Sequence, residues 1–312
     1  MRALLMTSAL LAACRGGEAA HSPIEHTRST GSPLTHSLAL DGGVLELDIE
    51  GARDAAFERR AARWIHRAAT AVTIYYGRFP IARARLAMRV YEGRGIGGGR
   101  VVVTDVPTIH IAVGRYSEPD DFERDWRLTH EMVHLAFPRV DERHHWIEEG
   151  LATYVEPVAR AQSGWLAADE VYGEWLGRMQ LGQPAGGDLG LDRTHTWART
   201  YWGGGLFALA ADVEIRIRTG NRRGLQDALR GVVAGGGTID RTWPLARALD
   251  LGDRATGVAV LTESYDRMAN HPVAVDLERL WRRLGLRRDG DRVLVDPAPQ
   301  PAALRRAILG PR

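Results

Sequence analysis

One stretch constrains this chain more than any other: Arg127-Leu128-Thr129-His130-Glu131-Met132-Val133-His134-Leu135-Ala136-Phe137, which contains the pattern His-Glu-x-x-His. On a helix, His130 and His134 stand one turn apart on the same face, so two imidazoles can reach a single metal ion. Glu131 then sits beside them. Zinc takes such a pair with a third protein ligand and keeps its fourth position for water, whose pKa falls towards ~7 on the metal. A neighbouring carboxylate can accept that water's proton and so make a nucleophile for a peptide carbonyl. A chance match to this five-residue pattern is expected about 0.02–0.03 times in a chain of this composition, so the setting of the motif decides its meaning.

The setting is helical on both sides. Ser117-Glu118-Pro119-Asp120 has the form of an N-cap with Pro in the first turn, and Pro138 stops the run, which predicts one helix between them. Leu128, Met132, Leu135 and Ala136 give it an apolar stripe. A short connection including Asp141 to His145 can reverse the chain and return Trp146 to Glu156 as a second helix. Gly150 and Ala152 in that helix leave room for close packing, since a helical Gly costs about 1 kcal/mol and implies a packing reason. Glu149 can supply the third ligand, with Glu148 as the second choice. His144 or His145 could close a fourth position and make the site structural rather than catalytic.

His-Glu-x-x-His followed by Trp146-Ile147-Glu148-Glu149-Gly150-Leu151-Ala152-Thr153-Tyr154 resembles the gluzincin metallopeptidases. The resemblance implies that Glu149, which precedes the Gly, is the third zinc ligand, and that Glu131 is the general base. The interval between His134 and Glu149 holds 14 residues, shorter than in the large aminopeptidases of that group. A second segment, Arg199 to Gly220, is similar to the glycyl aminopeptidase family, where a Tyr just before a Gly leads into a helix. On that match Tyr201 would donate to the oxyanion of the tetrahedral intermediate; its alternative is an aromatic packed at a helix start. Together the two segments imply an α+β, thermolysin-like catalytic domain, with an N-terminal β-rich lobe and a C-terminal helical lobe flanking a zinc cleft. The expected cofactor is Zn2+ and the expected substrate a peptide or protein.

At 312 residues the chain can bury a full core, and its apolar content of 45% and charged content of 26% are those of a globular protein. The net charge of +2 leaves no overall nucleic-acid footprint. All 41 basic residues are Arg and none is Lys, so arginine clusters here are poor evidence for phosphate binding. Cys14 is the only cysteine, which excludes an intrachain disulfide. Its surroundings explain it: a basic start, an apolar run from Ala3 to Ala13, and Leu11-Ala12-Ala13-Cys14 in the form of a bacterial lipobox. The run is shorter than the ~20 residues a bilayer crossing needs, so residues 1–13 read as a signal peptide. Cleavage before Cys14 would leave it free for lipidation and tether the protein to a membrane in the bacterial cell envelope, facing the periplasm or the outside.

Residues 14–37 lack periodicity and read as the lipid-anchored tether; a catalytic domain then spans 38–286, divided into a β-rich lobe (38–116) and the zinc helices with a helical lobe (117–286). Within it, Val44 to Ile49, Ala84 to Tyr91, Val101 to Val103 and Thr108 to Gly114 read as strands, and Arg53 to Tyr76 as a long amphipathic helix. Gly93 to Gly99 interrupts the pattern. No helix follows it, which excludes a phosphate-cradling loop, and it either borders a peptidase cleft as an edge strand or forms a hairpin. Later helices are expected at Asp212 to Arg218, Leu225 to Val233, Trp243 to Leu249 and Leu277 to Leu284. Residues 287–312 read as a C-terminal tail with a strand at Val293 to Val295 and a short helix.

Two rivals to a peptidase stand beside it: a lipid-anchored binding protein with a structural or vestigial metal site, and an amidase acting on a non-peptide amide. Glu131 and an open three-ligand set favour the enzyme. For the anchor, labelling of cells with a palmitate analogue is expected to mark the wild type and miss Cys14→Ala; labelling and membrane fractionation that survive the substitution would dispose of the lipoprotein reading.

Overall fold

The computed structural model describes residues 34–311. The apolar start, Cys14 and most of the expected tether lie outside the described residues. The last four tether residues do not: β1 (Leu34–Leu40) begins there and pairs antiparallel with β2 (Gly43–Glu50), Leu34 opposite Ile49 and Ser37 opposite Glu46. Ladder hydrogen bonds to β2 thus claim backbone whose sequence shows no strand pattern.

After β2 the chain crosses through α1 (Ala55–Tyr76), which Asp54 caps by accepting from the Phe57 N–H at 2.7 Å. Gly77 ends the helix in the left-handed region at φ 78°. The crossover makes β3 (Arg83–Tyr91) parallel to β2, and β5 (Thr108–Gly114) is parallel to β3 in turn. Between them in sequence, β4 (Ile96–Val102) folds back antiparallel onto β5, giving the sheet order β1-β2-β3-β5-β4. Leu45, Leu86, Met88, Ile109 and Ile111 alternate inward from the sheet into one core with Phe57, Trp64, Ile65 and Val72 of α1. The glycine run does not break the sheet, since Gly97 to Gly99 belong to β4, with a register irregularity between Ile96 and Gly99.

The expected single helix from Ser117 to Pro138 is two: α2 (Pro119–Glu123) and α3 (Arg127–His134). Asp125 makes the break. Its buried Oδ2 accepts from the Leu128 N–H at 3.1 Å and from Trp64 Nε1 at 3.2 Å, so it caps the first turn of α3 and ties it to α1. A 3-10 turn at Glu142–His144 reverses the chain into α4 (His145–Gln162). The periodicity does not single out the next helix, α5 (Ala168–Arg178).

A π-helical turn (Ala198–Gly203) then leads into α6 (Gly204–Arg218), which starts eight residues before the expected Asp212. The Gly203-Gly204-Gly205 run, a breaker by composition, is where α6 touches α4: a Cβ on Gly204 would lie 2.1 Å from the Trp146 carbonyl oxygen, and one on Gly150 would lie 2.3 Å from Gly204 Cα. The helical part continues with α7 (Leu225–Ala234), α8 (Leu245–Thr256), α9 (Val260–Met268) and α10 (Leu277–Leu284). The residues after 286 form the hairpin β6 (Leu286–Asp289) and β7 (Arg292–Val295), then α11 (Pro299–Leu309). Leu304 and Ile308 are buried, and Gln162 at the end of α4 donates to the Ile308 carbonyl at 2.7 Å.

The helix crossing gives a direct expectation. Gly204→Ala should cost about 1–3 kcal/mol through overpacking, read as a lower denaturation midpoint, whereas Gly186→Ala, with open space around it, should not. Equal midpoints for the two variants would contradict this crossing.

Candidate metal centre

The α3 helix sets His130 and His134 one turn apart, with ring centroids 4.9 Å from each other. Glu149, in the second turn of α4, reaches between them: its Oε2 is 3.1 Å from His130 Nε2 and 3.7 Å from His134 Nε2. One donor atom from each of these three residues lies within 4.8 Å of the other two, the single such group among the described residues. Glu148 is turned elsewhere, accepting from the Val140 N–H at 3.3 Å and lying 3.3 Å from His145 Nδ1. His144 faces Asp192 at 2.9 Å, and the exposed His145 places Nε2 3.5 Å from the other oxygen of Glu149. The donor set of two imidazoles and one carboxylate, with no fourth protein donor in the group, fits an open zinc site.

What holds α4 in place was invisible to sequence reasoning. Asp192, in a loop before the π turn, accepts from Trp146 Nε1 at 2.7 Å and from the Tyr265 hydroxyl at 2.7 Å, besides facing His144. No local pattern marks it, because its partners come from the start of α4 and from α9.

Charge and burial prepare the donors. Burial pushes the His134 imidazole down to about 4, with His130 and His145 adding to the effect and Glu149 opposing it. Burial would raise Glu149, yet His134 and the hydrogen bond from His130 draw it to about 2. Burial also works against protonated His130, but the hydrogen bond and charge of Glu149 outweigh it and lift its pKa. Glu149 is thus held ionised and His134 neutral, the forms in which each binds a metal.

Glu131 is buried beside this group, and burial lifts its carboxyl to about 7; His130 opposes the shift, while Glu149 and Asp125 add to it. Strand β4 passes directly over it, so that a Cβ on Gly99 would lie 2.6 Å from Glu131 Cγ. Tyr201 sits in the π turn with its ring stacked towards His130, centroids 6.3 Å apart, and towards Trp197 at 6.0 Å. The turn is pinned from behind by buried Arg199, whose Nε lies 2.6 Å from Asp188 Oδ2. His130, Glu131, His134, Glu149 and Tyr201 all line one cleft of about 1380 Å³, above the ~300–1,000 Å³ of ordinary small-molecule sites.

Neither a protein-family model nor a curated protein matches this sequence. Among solved structures, an aminopeptidase N family protein from Idiomarina loihiensis superposes with a TM-score of 0.58 at 16% identity, over 82% of this chain and 50% of that one. An M1 zinc metallopeptidase from Deinococcus radiodurans superposes more loosely, with a TM-score of 0.47 at 16% identity, over 78% of this chain and 55% of that one. The first likeness establishes a shared α+β fold. The chain spans about half the length of these structures.

The donor geometry predicts that the purified protein takes up about one zinc ion per chain, and that His134→Ala or Glu149→Ala loses most of it. Atomic absorption on dialysed protein measures this; a wild type that binds no divalent cation would refute the centre.

Proposed function

We propose that this chain is a zinc-dependent metallopeptidase of the gluzincin kind, with a thermolysin-like arrangement of sheet lobe, cleft and helical lobe. The observation that carries the reading is the convergence of His130, His134 and Glu149 beside a second, separately tuned carboxylate, Glu131. His130, His134 and Glu149 hold the ion. When bound, zinc would lower the pKa of a water towards ~7 and polarise the scissile carbonyl.

Glu131 takes the proton of the attacking water and returns it to the leaving amine. A carboxyl poised near neutrality suits both directions of that transfer. The Tyr201 hydroxyl donates to the oxygen on which negative charge develops. Edge strand β4, which lines the cleft from Gly99 to Val102 and has no side chain at Gly99, offers backbone groups there to an extended peptide. The segment around Tyr201 resembles the glycyl aminopeptidase family, which supports an aminopeptidase-like reading of the site. The lipobox at Cys14 puts the enzyme in the cell envelope, tethered to a membrane and acting on peptides there.

A structural or vestigial metal site is the weaker reading, because among the described residues the three-donor group has no fourth member, and His145 is exposed and stands against the other Glu149 oxygen. Glu131→Gln should retain zinc and lose about 10²–10⁴-fold in peptide hydrolysis, the range of one general base. Undiminished hydrolysis by that variant would remove the mechanism.

A further inference from the structure

The cleft continues past the metal centre along α4. Glu149, Thr153, Glu156 and Arg160 recur at helical spacing and all line it, so this arm extends about 16 Å from the donor group at ~1.5 Å per residue. The α5 helix contributes Glu170 and Glu174, one turn apart, to the same lining.

Most charges in this arm are matched within the chain. Glu156 accepts from Arg160 at 2.8 Å, and the Arg160 guanidinium lies 4.5 Å over the Trp165 ring. Glu170 accepts from the Ala167 N–H at 3.4 Å at the start of α5. Glu174 differs. Among the described residues it makes no hydrogen bond or close ion pair. Its neighbour four residues on, Arg178, is the usual partner for a helical Glu, but it is drawn 5.7 Å over the Trp202 ring instead. Burial raises the Glu174 carboxyl, with the more distant Arg178 and Arg160 opposing. A half-buried carboxylate in a cleft wall with its intrahelical partner diverted has a desolvation cost that a cation from outside would offset.

We propose that Glu174 makes the α5 arm of the cleft a subsite for a basic side chain, arginine or lysine, of the peptide substrate. The inference rests on the peptidase reading above. Leu166, which lines the same cleft, offers apolar surface to the stem of such a side chain, whose charged end would meet the carboxylate. A free N-terminal amine offers the same chemistry as a lysine side chain, so the probes carry both free and acetylated N-termini.

The test uses short peptides identical except for Arg or norleucine at one position, scanned across the residues flanking the scissile bond. At one position the Arg peptide should exceed the norleucine peptide about tenfold in kcat/KM, the scale of one charged hydrogen bond. Glu174→Gln should close that gap, and Glu174→Arg should turn it in favour of a Glu peptide. A gap that neither substitution moves, or a preference that follows the free N-terminus alone, overturns the inference. Calorimetric titration of the Glu131→Gln protein with the same peptides reads the subsite without turnover. Equal affinities there overturn the inference, whereas tighter Arg binding with no cleavage by the wild type would sustain the subsite and remove the peptidase reading.

Discussion

Everything at the candidate centre depends on α4 lying against α3 closely enough for one carboxylate to reach two imidazoles. Three features secure this at three points along α4. At its start, Asp192 gathers His144, Trp146 and Tyr265. In its second turn, Gly150 lets the backbone of α6 approach where any Cβ would collide. At its far end, Gln162 bonds both the Ile308 carbonyl and Gln226, which in turn donates to the Tyr75 carbonyl of α1. Asp125 fixes the facing helix to α1 through Trp64. The donor atoms are therefore set by contacts to five other helices, which is the preorganisation a metal site needs if binding is not to include the ordering of its own ligands.

The sheet contributes differently. Its edge strand approaches so closely at Gly99 that a side chain would displace Glu131. The same lack of side chains that weakens a strand therefore brings backbone next to the Glu131 carboxyl. Both glycine-rich segments, 97–99 and 203–205, are places of close approach, one between strand and carboxylate and the other between helices.

This explains what was legible in the sequence and what was not. His130, Glu131, His134 and Glu149 could be read because coordination chemistry dictates residue type at fixed spacing on two helices. The α1 helix and the strands β2, β3 and β5 could be read because burial imposes a period. The glycine runs look like breakers because composition carries propensity, while the contact that makes Gly necessary lies in a remote element. The division of α2 from α3 was hidden for the same reason: Asp125 caps a helix only because Trp64, 61 residues away, helps to satisfy its buried carboxylate. Asp192 and the unpaired Glu174 have no local signature at all. The order of β1 ahead of residue 38 likewise comes from its partner strand.

Two carboxylates lining one cleft, Glu131 and Glu149, acquire opposite characters from their surroundings. Glu149 touches both imidazoles, and those contacts overcome its burial and keep it ionised at about 2. Glu131 is about as deeply buried and projects from the same helix as the histidines, yet no hydrogen bond to an imidazole compensates it, and the charge of Glu149 nearby raises it further, to about 7. Exchange of a proton near neutrality requires the second environment, and permanent charge for holding a cation requires the first. The division of labour therefore follows from which carboxylate the α3–α4 packing presses onto the imidazoles, and a shift of α4 large enough to free Glu149 would erase the distinction along with the metal site.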